Sequence, residues 1–482
     1  MLTILIDPKK KEPIYEQIYV YIRDEIKKGN LVSGMKLPSS RGLAQYLNVS
    51  RNTVDLSYGQ LLSEGYIESK PKKGYYVNEI GNLMDISFPS GQEPNLSESK
   101  IKTNNSDQLS CGETYLIDFS PDGVDMEYFP YNRWRKLTKE TLIDDNRELF
   151  QTGDPTGDLT LRKAIRQYLH QSRGVNCQEE QILVGAGQDY LLLLLSQVLG
   201  PKKNVAMEEA TYKQAYRIFL QMGYKILPMP MDEYGILVEE LESSSADLVY
   251  VMPAHQFPTG AVMPIKRRHT LLSWAMEQEG RYIIEDDYDS EFRYQGKPIP
   301  SLQAADPMGK VIYAGTFSKA IAPAIRVGYL VLPWKLLEQF HKKAGFYSCS
   351  VSRIDQTVLG HFIKDGFFER HLNKMRGIYR NKQEVLLKEL RKFPKNVQIS
   401  GESGGLHITL SFPDGVEEDK LASLASLKGI RVYPFHDYFI GKEKKQAKII
   451  LGFARLSQDE IKKGVSMLFD AWTPVFQEID HR

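Results

Sequence analysis

Isoleucine recurs every fourth residue at Ile14, Ile18, Ile22 and Ile26, the apolar stripe of an amphipathic helix. Pro38 and Ser39 then supply start signals for a second helix, whose short buried face is Leu43, Ala44 and Leu47. A third helix opens at Ser50 as N-cap, repeats Val54, Tyr58, Leu61 and Leu62, and is stopped by Gly65. Beyond it the spacing changes from helical to alternating: "YIES" and "YYVN" flank "KPKKG" and predict a hairpin with a basic tip. Three helices and a hairpin within about 70 residues make a winged helix-turn-helix plan, assigned to residues 12–80.

Periodicity then disappears. The polar, Ser- and Asn-rich stretch "NLSESKIKTNNSDQLSCGE" predicts a flexible linker over 81–112. From residue 113 the pattern returns as five short apolar runs, each ending in a polar cluster. These are "ILV" into "GAGQ", "VAM" into "EEATY", "LVYVM" into "PAHQFPTG", "YII" into "EDDYD" and "VIYA" into "GTFSK". Helical patterns such as "YLLLLLSQVL" and "RHTLLSWAMEQ" lie between them. Strand alternating with helix predicts an α/β sheet, whose ligands bind beyond the carboxyl ends of the strands, so all five clusters should face one crevice. From about Gly360 to the end, strands such as "GLHITLSF" and "KIILGFA" mix with helices and predict a smaller α+β part.

Composition narrows this only slightly. At 42% apolar and 26% charged with a net charge of +1, the chain has ordinary globular character. Residues 1–80 carry 12 Lys and Arg against 9 Asp and Glu, hence +3, and the remaining 50 against 52 give −2, so the mild basic excess sits on the N-terminal module. Three scattered cysteines (Cys111, Cys177, Cys349) fit reduced thiols better than a disulfide framework. "MLTILIDPKKKEP" lacks the order of a signal peptide, and no run approaches the ~18 apolar residues of a membrane span, so a soluble cytoplasmic protein is expected.

The crevice clusters carry the chemistry. A lysine such as Lys319, in a polar-lined pocket, suits Schiff-base formation with an aldehyde. Thr316 and Ser318 offer hydroxyls to a phosphate, Arg326 can grip it bidentately, and Gly187 and Gln188 add backbone donors where a strand turns into a helix. Asp286 is placed to meet a pyridinium nitrogen, Tyr288 a phenolic oxygen, and Tyr212 the face of an aromatic ring. Taken singly these residues have ordinary explanations: a solvated lysine, a capping carboxylate, a core tyrosine. Together, at separate strand ends, they describe pyridoxal 5′-phosphate. No metal site is assigned.

On the N-terminal module, Ser39, Arg41, Ser50, Arg51, Asn52 and Thr53 bracket two helices. Hydroxyls and helix N-termini bind phosphates and set register, while Arg and Asn read base edges. Lys70, Lys72 and Lys73 on the wing can reach a flanking phosphate or the minor groove. The simpler account is a three-helix protein-contact module, but an Arg-Asn-Thr helix start favours DNA. A dimer would read paired half-sites, direct or inverted.

"GTFSKAIAPAIRVGY", "IIEDDYDSEF" and "HQFPTGAVMP" resemble the cofactor motifs of fold-type I aminotransferases. With "PSSRGLAQYLNVSRNTVDLSYGQLLSEGY" in front, the chain resembles the MocR/GabR-type branch of the GntR transcription regulators. The resemblance implies Lys319 as the Schiff-base lysine, holding the cofactor as an internal aldimine, with Asp286 at the pyridine nitrogen and Tyr288 near the ring oxygen. It also implies a homodimer. Two departures stand out. Phe257 precedes "PTG" where the pattern has an asparagine, and Ile450 stands where an arginine usually holds an α-carboxylate, with Arg455 five positions later. Arg455 is then either an effector anchor or part of a structural ion pair, and His255 is a second effector candidate. The expectation is a cofactor-dependent transcription regulator responding to an amino compound or to the vitamer itself. The alternative is an active aminotransferase with a fused autoregulatory module.

Overall fold

In the computed structural model the chain divides into two compact units, Met1–Ser110 and Cys111–Arg482. The structure describes residues 4, 6, 7, 12–71, 73–79, 115–143, 147–294, 296, 298–441 and 446–480. The linker expected at 81–112 and the wing residue Lys72 lie outside the described residues.

The first unit packs helices Ile14–Lys27, Ser40–Leu47 and Arg51–Ser63 against an antiparallel hairpin, Ile67–Lys70 with Gly74–Val77. Ile18, Ile22, Leu43, Val54, Tyr58, Leu61, Ile67 and Val77 form its core. Both expected caps are present: Ser39 Oγ accepts the Gly42 N–H and Ser50 Oγ accepts the Thr53 N–H, each at 3.1 Å. Asn48 turns the chain between the second and third helices in the left-handed region, at φ 53°.

The second unit is built on a seven-stranded sheet. Its order is 182–185, 328–331, 311–316, 282–287, 248–251, 204–208 and 225–229. All five apolar runs picked out by pattern are strands of this sheet, and they run in the same direction. The strand Gly328–Val331 is antiparallel to both neighbours. That reversal explains how Arg326, which precedes its strand, reaches the same sheet edge as residues that follow theirs. Helices Gln188–Leu199 and Ile265–Met276 stand where helical spacing placed them. The sheet is apolar on both faces, as crossover helices require. A four-stranded antiparallel sheet (398–400, 407–411, 448–452, 433–434) and the helices Phe367–Leu390 and Gln458–Asp480 make up the C-terminal part. The division expected near Gly360 falls inside the helix Arg353–Lys364. Among the described residues, no helix is long and apolar enough to cross a membrane.

Candidate functional site

The loops at the carboxyl edge of the large sheet enclose a cavity of about 190 Å³, larger than the ~150 Å³ that accommodates a benzene ring. Eight of the residues singled out by sequence line it: Gln188, Tyr212, Asp286, Tyr288, Thr316, Ser318, Lys319 and Arg326. Gly187 caps the helix that starts at Gln188, at φ 87°, and a Cβ there would come within 2.9 Å of the Arg326 guanidinium carbon. Glycine is needed for both reasons: the backbone angle and the close passage of the arginine. Arg326 is itself left-handed, at φ 50°, and its Nη2 lies 3.2 Å from Asp189 Oδ2. Thr316 Oγ1 accepts the Ser318 N–H and donates to Ser318 Oγ, each at 3.1 Å, which pins the loop before the lysine.

The "EDDYD" cluster shows how a strand sorts four acids. Side chains alternate across a strand, so Glu285 and Asp287 turn away from the cavity and Asp286 turns into it. Glu285 accepts the Leu302 and Gln303 N–H groups, Asp287 pairs with buried Arg173 at 2.7 Å, and Asp289 meets His255. Asp286 accepts a hydrogen bond from the Tyr250 hydroxyl at Oδ2, while Oδ1 is buried with no well-aligned partner. Burial pushes the Asp286 carboxyl up to about 7, with Tyr250 and the Gln188 amide pulling the other way. A ring N–H would give Oδ1 the hydrogen bond it lacks.

Tyr288 Oη lies 3.0 Å from His255 Nδ1, which also lies 3.0 Å from both Asp289 oxygens. His255 therefore sits behind Tyr288 rather than on the cavity wall. Gly405 makes room for it, since a Cβ there would lie 2.0 Å from His255 Cε1. Phe257, at the position where the aminotransferase pattern has asparagine, lines the cavity. It packs edge-on against Tyr212, Tyr288 and Tyr438. An aromatic wall thus replaces a polar contact. Lys319 Nζ donates to the Pro121 carbonyl at 3.1 Å and to Asp122 Oδ1 at 3.0 Å.

Arg455 is not brought to the cavity: it is exposed, with its Cβ against Gly123. Ile450 is fully buried and packs with Ala210 and Phe435. Three contributors had no clear sequence signal. Tyr250 reads as core, and its role depends on the register that sets it opposite Ile284, on the same face as Asp286. Pro121 and Asp122 come from a stretch far from every motif in sequence.

On the first unit, Arg41, Arg51 and Asn52 are exposed, the latter two at the start of the third helix. Arg51 makes a surface ion pair with Asp55 at 3.4 Å. Ser39 and Ser50 are exposed at the two helix starts, Thr53 is half-buried, and Lys73 is exposed on the hairpin tip.

The residues present fit pyridoxal phosphate: an anion cradle that a Cβ would fill, a buried acid with one oxygen lacking a hydrogen-bond partner for the ring nitrogen, and a lysine on the same cavity. The family model "Bacterial regulatory proteins, gntR family" matches residues 14–77, and "Aminotransferase class I and II" matches residues 123–467. The HTH-type transcriptional regulator YdeL of Bacillus subtilis is 38% identical over 95% of this chain and 97% of its own length. The probable rhizopine catabolism regulatory protein MocR of Rhizobium meliloti is 31% identical, over 97% of this chain and 96% of its own. Among solved structures, a multiple substrate aminotransferase from Thermococcus profundus is similar, with a TM-score of 0.69 and 25% identity. It covers 76% of this chain and 93% of its own. The aminotransferase class I and II fold is one that works with pyridoxal phosphate, and GntR-family regulators bind DNA. The chain belongs to the MocR subfamily of GntR-family HTH-type transcriptional regulators, in which a helix-turn-helix module precedes an aminotransferase-like domain.

Proposed function

We propose that this regulator binds pyridoxal phosphate at Lys319 and responds to an effector in the same cavity, either a primary amino compound or the B6 vitamer itself. The protein acts in the cytoplasm as a homodimer on an operator with paired half-sites, so that two reading modules engage one DNA. The observation that carries the reading is the meeting of Lys319, Asp286, Tyr288 and Arg326, from the ends of three strands, around one cavity. Bound there, pyridoxal phosphate supplies an aldehyde carbon that condenses with a primary amine and releases water.

Each side chain then has one task. Arg326, Thr316, Ser318 and the N–H groups at the Gly187–Gln188 helix start hold the phosphate. Asp286 keeps a proton on the ring nitrogen, and Tyr250 holds that carboxyl in place. Tyr288 faces the ring oxygen with His255 and Asp289 behind it, and Tyr212 and Phe257 stack around the ring and exclude water. Lys319 provides the exchangeable amine. Ile450 is buried and Arg455 does not line the cavity, so neither position supplies an arginine clamp for an α-carboxylate, which favours sensing over steady transamination. Ligand-dependent control requires that the amine bind the two DNA-binding states with different affinity.

The test is spectroscopic and genetic. Purified protein should show a visible absorption band, and sodium borohydride should fix the cofactor mass on the Lys319 peptide. Operator footprints should change with added amine, and Lys319→Ala should abolish that response. Footprints and reporter expression unaltered by Lys319→Ala would refute the proposal. Multiple-turnover transfer of amino groups to keto acids would instead favour an enzyme.

A further inference from the structure

Both acceptors of the Lys319 ammonium lie on the stretch Ser120–Gly123, just behind the strand Ile117–Asp118. That strand is the first element of the second unit among the described residues. The stretch is fixed on its other side. The Gly452 N–H donates to the Phe119 carbonyl at 2.8 Å, and a Cβ on Gly452 would lie 2.0 Å from the Ser120 carbonyl oxygen. A Cβ on Gly123 would likewise lie 2.8 Å from that of Arg455. The variable contact is therefore the one facing the cavity. There the Asp122 side chain is 73% exposed, against 16% for Lys319, and among the described residues its carboxylate pairs with Lys319.

We infer that Asp122 is a positioning residue that receives the Lys319 ammonium when an amine effector takes the lysine's place on the cofactor. The inference rests on the reading proposed above. In that exchange a C=N bond to Nζ is replaced by a C=N bond to the incoming nitrogen. No electrons are transferred: two protons pass from the incoming ammonium nitrogen to Nζ, so Lys319 leaves as an ammonium and the new C=N nitrogen keeps the single proton that the old one carried. While Nζ is bonded to the cofactor, it cannot supply the ammonium donors that Pro121 and Asp122 use here. Once released, it regains both contacts. Asp122 thus stabilises the effector-bound state, and the stretch that follows the first strand of the unit feels the exchange directly.

Holoprotein is titrated with n-propylamine and with L-alanine, following the visible band, and cofactor affinity is measured separately by dialysis. For Asp122→Asn, apparent amine affinity should fall about three- to fivefold, the scale of a partly exposed ion pair. Cofactor affinity should rise, because the lysine-free state has lost its partner. A general structural defect would lower both. Asp122→Glu should recover most of the amine affinity, and hydrogen exchange over residues 115–125 should slow on amine addition in wild type but not in Asp122→Asn. Unchanged amine affinity in Asp122→Asn, parallel loss of amine and cofactor binding, or failure of glutamate to rescue would overturn the inference while leaving the cofactor reading intact. A preparation with no visible band and no borohydride-fixed mass would remove the cofactor reading itself, and this inference with it.

Discussion

Replacing Asp286 by asparagine separates the cost of burying that acid from its use. Burial keeps the carboxyl protonated up to about pH 7, whereas its ordinary value, which the unfolded chain retains, is 3.8. The stability that proton confers is therefore fully present below about pH 4 and is lost as pH rises to about 7, where the loss is complete. At about 1.4 kcal/mol per pH unit the whole loss amounts to about 4 kcal/mol, of which roughly 2–3 kcal/mol falls between pH 5 and pH 8. Asparagine can still accept the Tyr250 hydroxyl but has no charge to desolvate. Cofactor-stripped Asp286→Asn should therefore exceed wild type in stability by a margin that widens by roughly 2–3 kcal/mol across that range. All four tryptophans (Trp134, Trp274, Trp334, Trp472) lie in the second unit, so selectively excited tryptophan fluorescence in urea follows that unit alone. Adding pyridoxal phosphate should narrow that margin. The ring N–H pairs the wild-type carboxylate, and the variant should bind at least about tenfold more weakly, about 1.4 kcal/mol. A margin that is flat with pH, or equal cofactor stabilisation of both proteins, would refute the assignment.

Further outcomes follow from the same geometry. Gly187→Ala places a Cβ 2.9 Å from the Arg326 guanidinium on a backbone at φ 87°. It should weaken pyridoxal phosphate about tenfold but leave phosphate-free pyridoxal little changed, as competition titrations would reveal. Gly405→Ala must displace His255, whose Cε1 would be 2.0 Å from the new methyl. The visible band should shift as Tyr288 loses its support, and an unshifted spectrum would show that His255 does not tune the ring oxygen. On the reading module, Arg51→Ala should cost about 1–3 kcal/mol on an operator selected from random DNA and relax preference at one base pair. Lys73→Ala should reduce the salt slope by about one without altering preference, both being readable by fluorescence anisotropy at several salt concentrations.

Local rules were enough for the reading module. Its stripe of isoleucines, its two serine caps and its alternating hairpin each specify their own conformation, and the unit closes on a core made of those same stripes. The five strand-to-cluster junctions were equally legible, because apolar runs ending in polar loops announce buried strands whose ends must meet solvent or ligand. From them alone came eight of the residues that line the cavity. What no local rule supplies is strand order and register. Those decide that Tyr250 stands on the face of Asp286 and that an antiparallel strand carries Arg326 to the ligand edge. They also bring Pro121 and Asp122 to Lys319, although 198 and 197 residues separate them in the chain. Sequence thus determined which chemistry the chain can perform, since that resides in residue types and their nearest neighbours. Tertiary structure decided which groups share a space, because hydrogen bonds and ion pairs depend on distances that long-range packing alone can set.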